Sequence, residues 1–155
     1  MPLITGWPIA TSSAPFATAR QASSASKVPT PIGIFTAAKE SGVWVVVDLI
    51  GVKNVGARAR QCEEWGVNMV YLHYGADQRR ADATKDSVQW LDEVLAAVKI
   101  PIGVGTFGTE DAVRAVSKGA ELVAIGHPVI SGDKPLEALT DYCKKVRAAY
   151  QPRKK

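Results

Sequence analysis

Four short apolar runs recur along the chain from about Thr30, separated by longer stretches with the period of an amphipathic helix. Each run has the length of a buried strand and is rich in valine, isoleucine or leucine. Strands that alternate with helices pair in parallel through βα units. The pattern therefore predicts an α/β fold of four consecutive βα units, equivalent to half of a (β/α)8 TIM barrel, with strands over Trp44 to Ile50, Met69 to His73, Ile100 to Val104 and Leu122 to Ile125.

The first two intervening stretches carry helix start and stop signals. A short helix is predicted over Ile34 to Ser41, and Gly42 closes it. The next helix begins at an Asn54 cap and runs to about Trp65, before Gly66. Both glycines stand where a helix end favours a left-handed residue.

Three further helices are predicted. One follows a polar loop after the second strand, the next is capped by Thr109 and closed by Gly119, and the last follows the fourth strand. Their spacing puts apolar residues on one side of the first and of the last of these helices, namely Val88, Leu91, Val94, Leu95 and Val98 on the first and Leu136, Leu139, Cys143 and Val146 on the last.

The chain divides into three parts by composition. Residues 1–29 are rich in Ser, Ala, Thr and Pro and contain no acid, so we expect an irregular segment. We interpret it as a nonhomologous or misassigned N-terminus, with a targeting peptide as the alternative. Residues 30–150 form the half-barrel, and residues 151–155 are predicted to be a solvated basic tail. A full barrel needs about 200 residues or more, which exceeds the 155 of this chain.

Composition excludes several classes of function. The two cysteines, Cys62 and Cys143, lack the spacing of a disulfide framework or a zinc site, which favours a reducing, cytoplasmic setting. The net charge of +4 comes without an aromatic and basic motif, so we expect no nucleic-acid partner. No apolar run approaches the about 20 residues of a membrane span.

The ends of the predicted strands carry the candidate chemistry. Side chains at the carboxyl ends of parallel strands converge on one crevice. Asp48 and His73 end the first two strands, and glycine-rich turns follow the other two. A carboxylate and an imidazole suit acid and base catalysis, and backbone amides next to glycine can approach a phosphate.

Four strings in this order resemble 3-hexulose-6-phosphate synthases, and they are VVVDLIGV, the His-x-Gly-x-Asp-x-Gln element, IPIGVG and AELVAIG. That family belongs to the orotidine 5'-monophosphate decarboxylase superfamily, with 3-keto-L-gulonate-6-phosphate decarboxylase as a close relative. The resemblance covers about Thr30 to Val146. It implies that the four strands are strands five to eight of the barrel, its C-terminal half.

The resemblance also implies roles for particular residues. Asp48 matches the acidic residue that reaches the substrate, and His73 matches the histidine that polarises or protonates an enediolate. The phosphate-binding loops after the last two strands match Gly105, Thr106, Phe107, Gly108, Gly126 and His127. No residue of this chain is predicted to bind a metal. The family uses Mg²⁺, but its metal ligands and its catalytic lysine belong to elements with no counterpart here.

These matches predict a sugar-phosphate lyase that joins formaldehyde to ribulose 5-phosphate, or the reverse, and that needs an N-terminal half supplied by another chain. Whether this chain is an enzyme by itself stays open. One alternative is a noncatalytic fragment or sugar-phosphate-binding module. Another is a decarboxylase of the 3-keto-L-gulonate-6-phosphate or orotidine 5'-phosphate type. Because a half-barrel leaves sheet edges unpaired, we expect a homo-oligomer or a complementary half-barrel chain as partner.

Overall fold

The computed structural model describes residues 31–153, so the predicted irregular segment 1–29 and the last two lysines lie outside it. Its centre is a four-stranded parallel sheet in the order β1-β2-β3-β4. The α/β half-barrel prediction is confirmed. The strands are β1 (Val46–Asp48), β2 (Met69–Leu72), β3 (Ile102–Thr106) and β4 (Leu122–Ile125).

Six α-helices alternate with these strands in the described part of the chain. They are α1 (Pro31–Glu40), α2 (Val55–Glu64), α3 (Ala76–Ala81), α4 (Leu91–Ala97), α5 (Thr109–Lys118) and α6 (Pro135–Ala149). Short 3₁₀ helices over Ser87–Trp90 and Val129–Ser131 lead into α4 and α6. No described helix is long and apolar enough to cross a membrane.

Several strand and helix bounds differ from the prediction; for example, β2 ends at Leu72 and not at His73. The first strand is shorter, because the Asp48 carboxylate accepts the Ile50 amide at 2.9 Å and turns the chain. The third strand begins and ends two residues later, at Ile102 and Thr106. The loop predicted after the second strand contains α3, whose sequence lacks the periodic apolar residues of an amphipathic helix.

The helix-facing side of the sheet forms the core. Fully buried side chains on β2 and β3 pack there against α2 and α4, whose apolar face is largely the predicted one. The main contributors are Val70, Leu72, Ile102, Val104, Val55, Ala59, Leu91 and Val94. This packing fixes the direction of the strands and therefore the positions at which they end.

The opposite side of the sheet is open. Parallel register aligns Val46 with Met69, and Gly103 with Leu122, so these positions share this face. Val46 on the β1 edge is 49% exposed and Leu122 on the β4 edge is 39% exposed. The predicted buried first strand is therefore an exposed edge, and the apolar face extends to both edges.

The last helix and the C-terminus depart from the prediction. Tyr142 is the buried residue of α6, whereas Leu136 is 77% exposed and Leu139 is exposed as well. The predicted solvated tail is wrong for Arg153, whose guanidinium donates to the carbonyls of Leu95, Val98 and Ile100. Arg153 thereby ties the end of the chain to the turn before β3.

Candidate functional site

The two predicted catalytic residues form a hydrogen-bonded pair. His73 Nδ1 lies 2.8 Å from the Oδ2 atom of Asp48, although the two residues are 25 positions apart in sequence. A carboxylate only accepts hydrogen bonds, so this contact holds the proton on Nδ1 and leaves Nε2 as the free nitrogen of the neutral ring. Both side chains stay accessible, at 39% for His73 and 43% for Asp48.

Neighbouring backbone contacts hold the pair at the carboxyl ends of β1 and β2. Asp48 ends β1, where its Oδ1 atom accepts the Ile50 amide. His73 directly follows β2, and the next amide, that of Tyr74, donates to the buried Ser87 hydroxyl at 2.8 Å. The turn after His73 is closed by Gln78, whose side-chain oxygen accepts the Gly75 amide. These bonds restrict the backbone on both sides of the pair.

Tyr71 is a residue of this face that the sequence interpretation missed. It pairs in register with Asp48 and stands two residues before His73, so all three side chains lie on the open face. The Tyr71 and His73 rings meet edge to face, with centroids 5.8 Å apart. Burial raises the pKa of the Tyr71 phenol, and the Asp48 carboxylate and Tyr142 add to this rise. The alternation of the strand was the signal that could have found it.

Gly105 and Thr106 belong to β3 and not to a loop after it, which corrects their predicted position. A Cβ on Gly105 would stand 2.8 Å from the Tyr71 hydroxyl oxygen, so any other residue there would force the Tyr71 side chain to shift. The Thr106 side chain is buried and its hydroxyl donates to the Ala124 carbonyl at 2.9 Å. This hydroxyl is engaged within the fold, and a role of Thr106 in phosphate binding stays a prediction.

Phe107 and Gly108 do form the turn between β3 and α5. The Phe107 amide donates to the Asp111 carboxylate at 3.1 Å, so an acidic side chain already occupies this amide. The predicted Thr109 cap is absent, since Gly108 is the N-cap residue and no side chain caps it. The Arg79 guanidinium lies over the Phe107 ring, 4.7 Å from its centroid, and brings a positive charge to the turn.

Gly126 and His127 follow β4 as predicted. An added Cβ on Gly126 would meet nothing within 4 Å, so the space beside its Cα is open. His127 is exposed and its Nδ1 atom lies 2.6 Å from the Ser131 hydroxyl oxygen. The two glycine turns thus flank neighbouring strand ends, and their binding of phosphate stays a prediction.

The residues present do not fit a bound Mg²⁺ ion. Within residues 31–153, no group of three or more His, Cys, Asp or Glu side chains is arranged to hold a metal. Asp48, the acid nearest His73, instead uses its two oxygens for the imidazole and for the Ile50 amide. No step below depends on a metal.

Comparison with known proteins finds similarity to 3-hexulose-6-phosphate synthases. The 3-hexulose-6-phosphate synthase of Staphylococcus epidermidis is 28% identical over 116 residues, which are 74% of this chain and 52% of that protein. The crystal structure of the Salmonella typhimurium 3-hexulose-6-phosphate synthase superposes with a TM-score of 0.68 at 26% identity. The resemblance to 3-hexulose-6-phosphate synthase is confirmed. No family model matches the chain.

The similarity covers only part of each related protein. The chain spans about half the length of the 3-hexulose-6-phosphate synthases it matches, at 52% of the curated relative and 56% of the Salmonella structure. Another solved 3-hexulose-6-phosphate synthase, 30% identical, is likewise covered over 56% of its length with a TM-score of 0.59. Mandelate oxidase structures, at 21% identity and a TM-score of 0.57, share the fold alone.

Proposed function

We propose that this chain carries one side of a sugar-phosphate lyase site of the 3-hexulose-6-phosphate synthase type. Its substrates would be ribulose 5-phosphate and formaldehyde, or the hexulose phosphate in the reverse direction. The observation that carries the proposal is the 2.8 Å contact between Asp48 and His73 at the ends of adjacent parallel strands. The named relatives supply the class of substrate.

The aldol reaction needs a group that exchanges protons near neutral pH. A base removes the proton from C1 of ribulose 5-phosphate, the resulting enediolate forms the bond to the formaldehyde carbon, and the former aldehyde oxygen gains a proton. His73 Nε2 suits this exchange because Nδ1 is held by Asp48. Asp48 orients the ring and stabilises the imidazolium that forms, so its main role would be toward His73 more than toward substrate hydroxyls.

We further propose that turnover requires a second half-barrel over the open face. His73 and Asp48 remain partly exposed, and both sheet edges carry accessible apolar side chains, Val46 and Leu122. A second four-stranded parallel unit would pair with both edges, bury this face and exclude water from the site. Another copy of the chain offers the same two edges, and a complementary chain with the first four βα units of a synthase would also supply the missing groups.

A second candidate function is sugar-phosphate binding without turnover. The specific observation in its favour is the lack of a metal-ligand group within residues 31–153. Metal ions often stabilise developing negative charge, and without such a term an enediolate is hard to form. Activity measurements separate the two candidates.

The test is an aldolase assay with ribulose 5-phosphate, formaldehyde and Mg²⁺. We expect no turnover by the chain alone and measurable turnover when the first four βα units of the Salmonella synthase are added as a separate chain. His73→Ala in this chain should abolish the restored activity. Asp141→Asn is the matched control, because Asp141 is an exposed acid of α6 that forms an ion pair with Lys145.

Three outcomes decide between the candidates. Restored activity that depends on His73 supports the lyase. A mixture that forms a stable complex without turnover contradicts the lyase and favours the binding module. Turnover by the chain alone, abolished by His73→Ala, supports the catalytic pair and contradicts the need for a second half-barrel.

A further inference from the structure

Tyr71 lies next to the two predicted catalytic residues, Asp48 and His73. It is half-buried at the centre of the open face, beside Asp48 on β1 and two positions before His73. Its ring covers two glycines of β3, since added Cβ atoms on Gly103 and Gly105 would stand 2.7 and 2.8 Å from its Cδ2 and hydroxyl oxygen. The ring therefore extends along β3 from Gly103 toward the carboxyl end, with the hydroxyl foremost.

The hydroxyl of Tyr71 has no hydrogen-bond partner within residues 31–153. Every fully buried side-chain nitrogen or oxygen atom in that part of the chain does have one, so this hydroxyl reaches open space. The same Gly105 Cβ position lies 3.6 Å from His73 Cδ2, which brings the imidazole and the phenol to the same point above β3. Unlike Tyr71, Tyr74 and Tyr142 use their hydroxyls within the fold.

We propose that Tyr71 is a third residue of the site, whose hydroxyl donates a hydrogen bond to an oxygen of the phosphorylated sugar that His73 engages. The inference rests on the proposed function and adds to it a residue that contacts substrate. The match to the family strings gives no role to this position.

The chemistry of the three groups supports a division of roles. Asp48 is an acceptor and the free Nε2 of neutral His73 is an acceptor, so neither can donate to a substrate carbonyl. A carbonyl that becomes an enediolate gains negative charge on oxygen and is stabilised by a fixed donor. A phenol of ordinary pKa is protonated at neutral pH and can act as that donor. Burial and the nearby Asp48 carboxylate raise the pKa of Tyr71, which is in the same direction.

The test compares ribulose 5-phosphate binding by the full chain and by Tyr71→Phe, which keeps the ring over β3 and removes only the hydroxyl. Binding is followed by NMR titration. We expect the affinity of Tyr71→Phe to fall about fivefold, as for the loss of one neutral hydrogen bond. Tyr150→Phe is the matched control and should bind like the parent, because Tyr150 is an exposed residue at the end of α6.

A second measurement needs no substitution. In protein labelled with ¹³C at tyrosine Cζ, ligand should shift the Tyr71 signal and leave that of Tyr150 in place. If the parent binds and both Tyr71 readouts are unchanged, the inference is wrong while the proposed site stands. If the parent does not respond to ligand at all, the proposed function and this inference both fail.

Discussion

The hydroxyl oxygen of Tyr71 lies 2.8 Å from the position that a Cβ on Gly105 would occupy. The contact offers a packing explanation, unrelated to phosphate, for the last glycine of the IPIGVG string. An atom at that distance from a new Cβ must move, and the phenol ring is held between β3 and His73. The packing of the Tyr71 ring therefore favours glycine at position 105.

Gly105→Ala should destabilise the fold and displace Tyr71. We expect a loss of about 1 to 3 kcal/mol in the free energy of unfolding, as in other overpacked sites. Urea denaturation checks this, with Gly108→Ala as control, because a Cβ there would meet nothing within 4 Å. In a Tyr71→Phe background the cost of Gly105→Ala should shrink. Equal losses for Gly105→Ala and Gly108→Ala would contradict the packing account.

Asp48→Asn should lower the pKa of Tyr71. The negative Asp48 carboxylate disfavours the phenolate and so contributes to the raised pKa, after burial. Removing that charge shifts the tyrosine titration toward lower pH, while the burial contribution remains. A ¹³Cζ NMR titration measures this, and Asp77→Asn should leave the Tyr71 pKa unchanged. A Tyr71 pKa that is the same in the parent and in Asp48→Asn would show that the two groups do not interact.

The chain should self-associate through its sheet edges when no other half-barrel is present. Light scattering at micromolar concentration is expected to give a mass above that of a monomer. Leu122→Lys and Val46→Lys should shift the protein toward monomer, since a charge at either edge opposes strand pairing. Tyr150→Lys, at an exposed site at the end of α6 and outside the sheet, is the control. A stable, folded monomer of the parent chain at this concentration contradicts the prediction.

Arg153→Ala should destabilise the protein although only two residues follow Arg153 in the sequence. Its guanidinium donates to the carbonyls of Leu95, Val98 and Ile100. The substitution would remove these three hydrogen bonds at once. We expect a loss of about 1 to 3 kcal/mol in thermal or urea unfolding. Arg147→Ala, on the exposed side of α6, should change stability by about 0.5 kcal/mol at most. Equal effects would show that the C-terminal contact adds nothing.

Local patterns predicted most of the fold. Valine-rich runs and the glycines after helices identify parallel βα units, and the fourth strand, Leu122–Ile125, has the predicted bounds. The Asn54 cap is also confirmed, with its side chain accepting the Ala57 amide. α3 was missed because its six residues carry no apolar face. The exposure of Leu136 could not be predicted, because helical spacing identifies an apolar face but not whether anything covers it.

The candidate site was predictable only in part. The ends of strands direct attention to Asp48 and His73, but their contact depends on the register of β1 against β2, which a single sequence does not give. The residues from Gly105 to Gly108 were matched to a phosphate loop, yet Gly105 and Thr106 continue the strand because they pair with Ala124 and Ile125. Tyr71 was not predicted because the residue beside its hydroxyl, Gly105, is 34 positions away and has no side chain.

The most direct test of the central claim follows His73 itself during a titration with ribulose 5-phosphate. The chain contains two histidines, so imidazole NMR signals are assigned to His73 or His127 with one His127→Gln variant. The account predicts a saturable shift of the His73 signals, weakened in Asp48→Asn because the ring then loses its charged partner. A His73 resonance that stays unchanged at saturating ligand, or a response confined to His127, would contradict it.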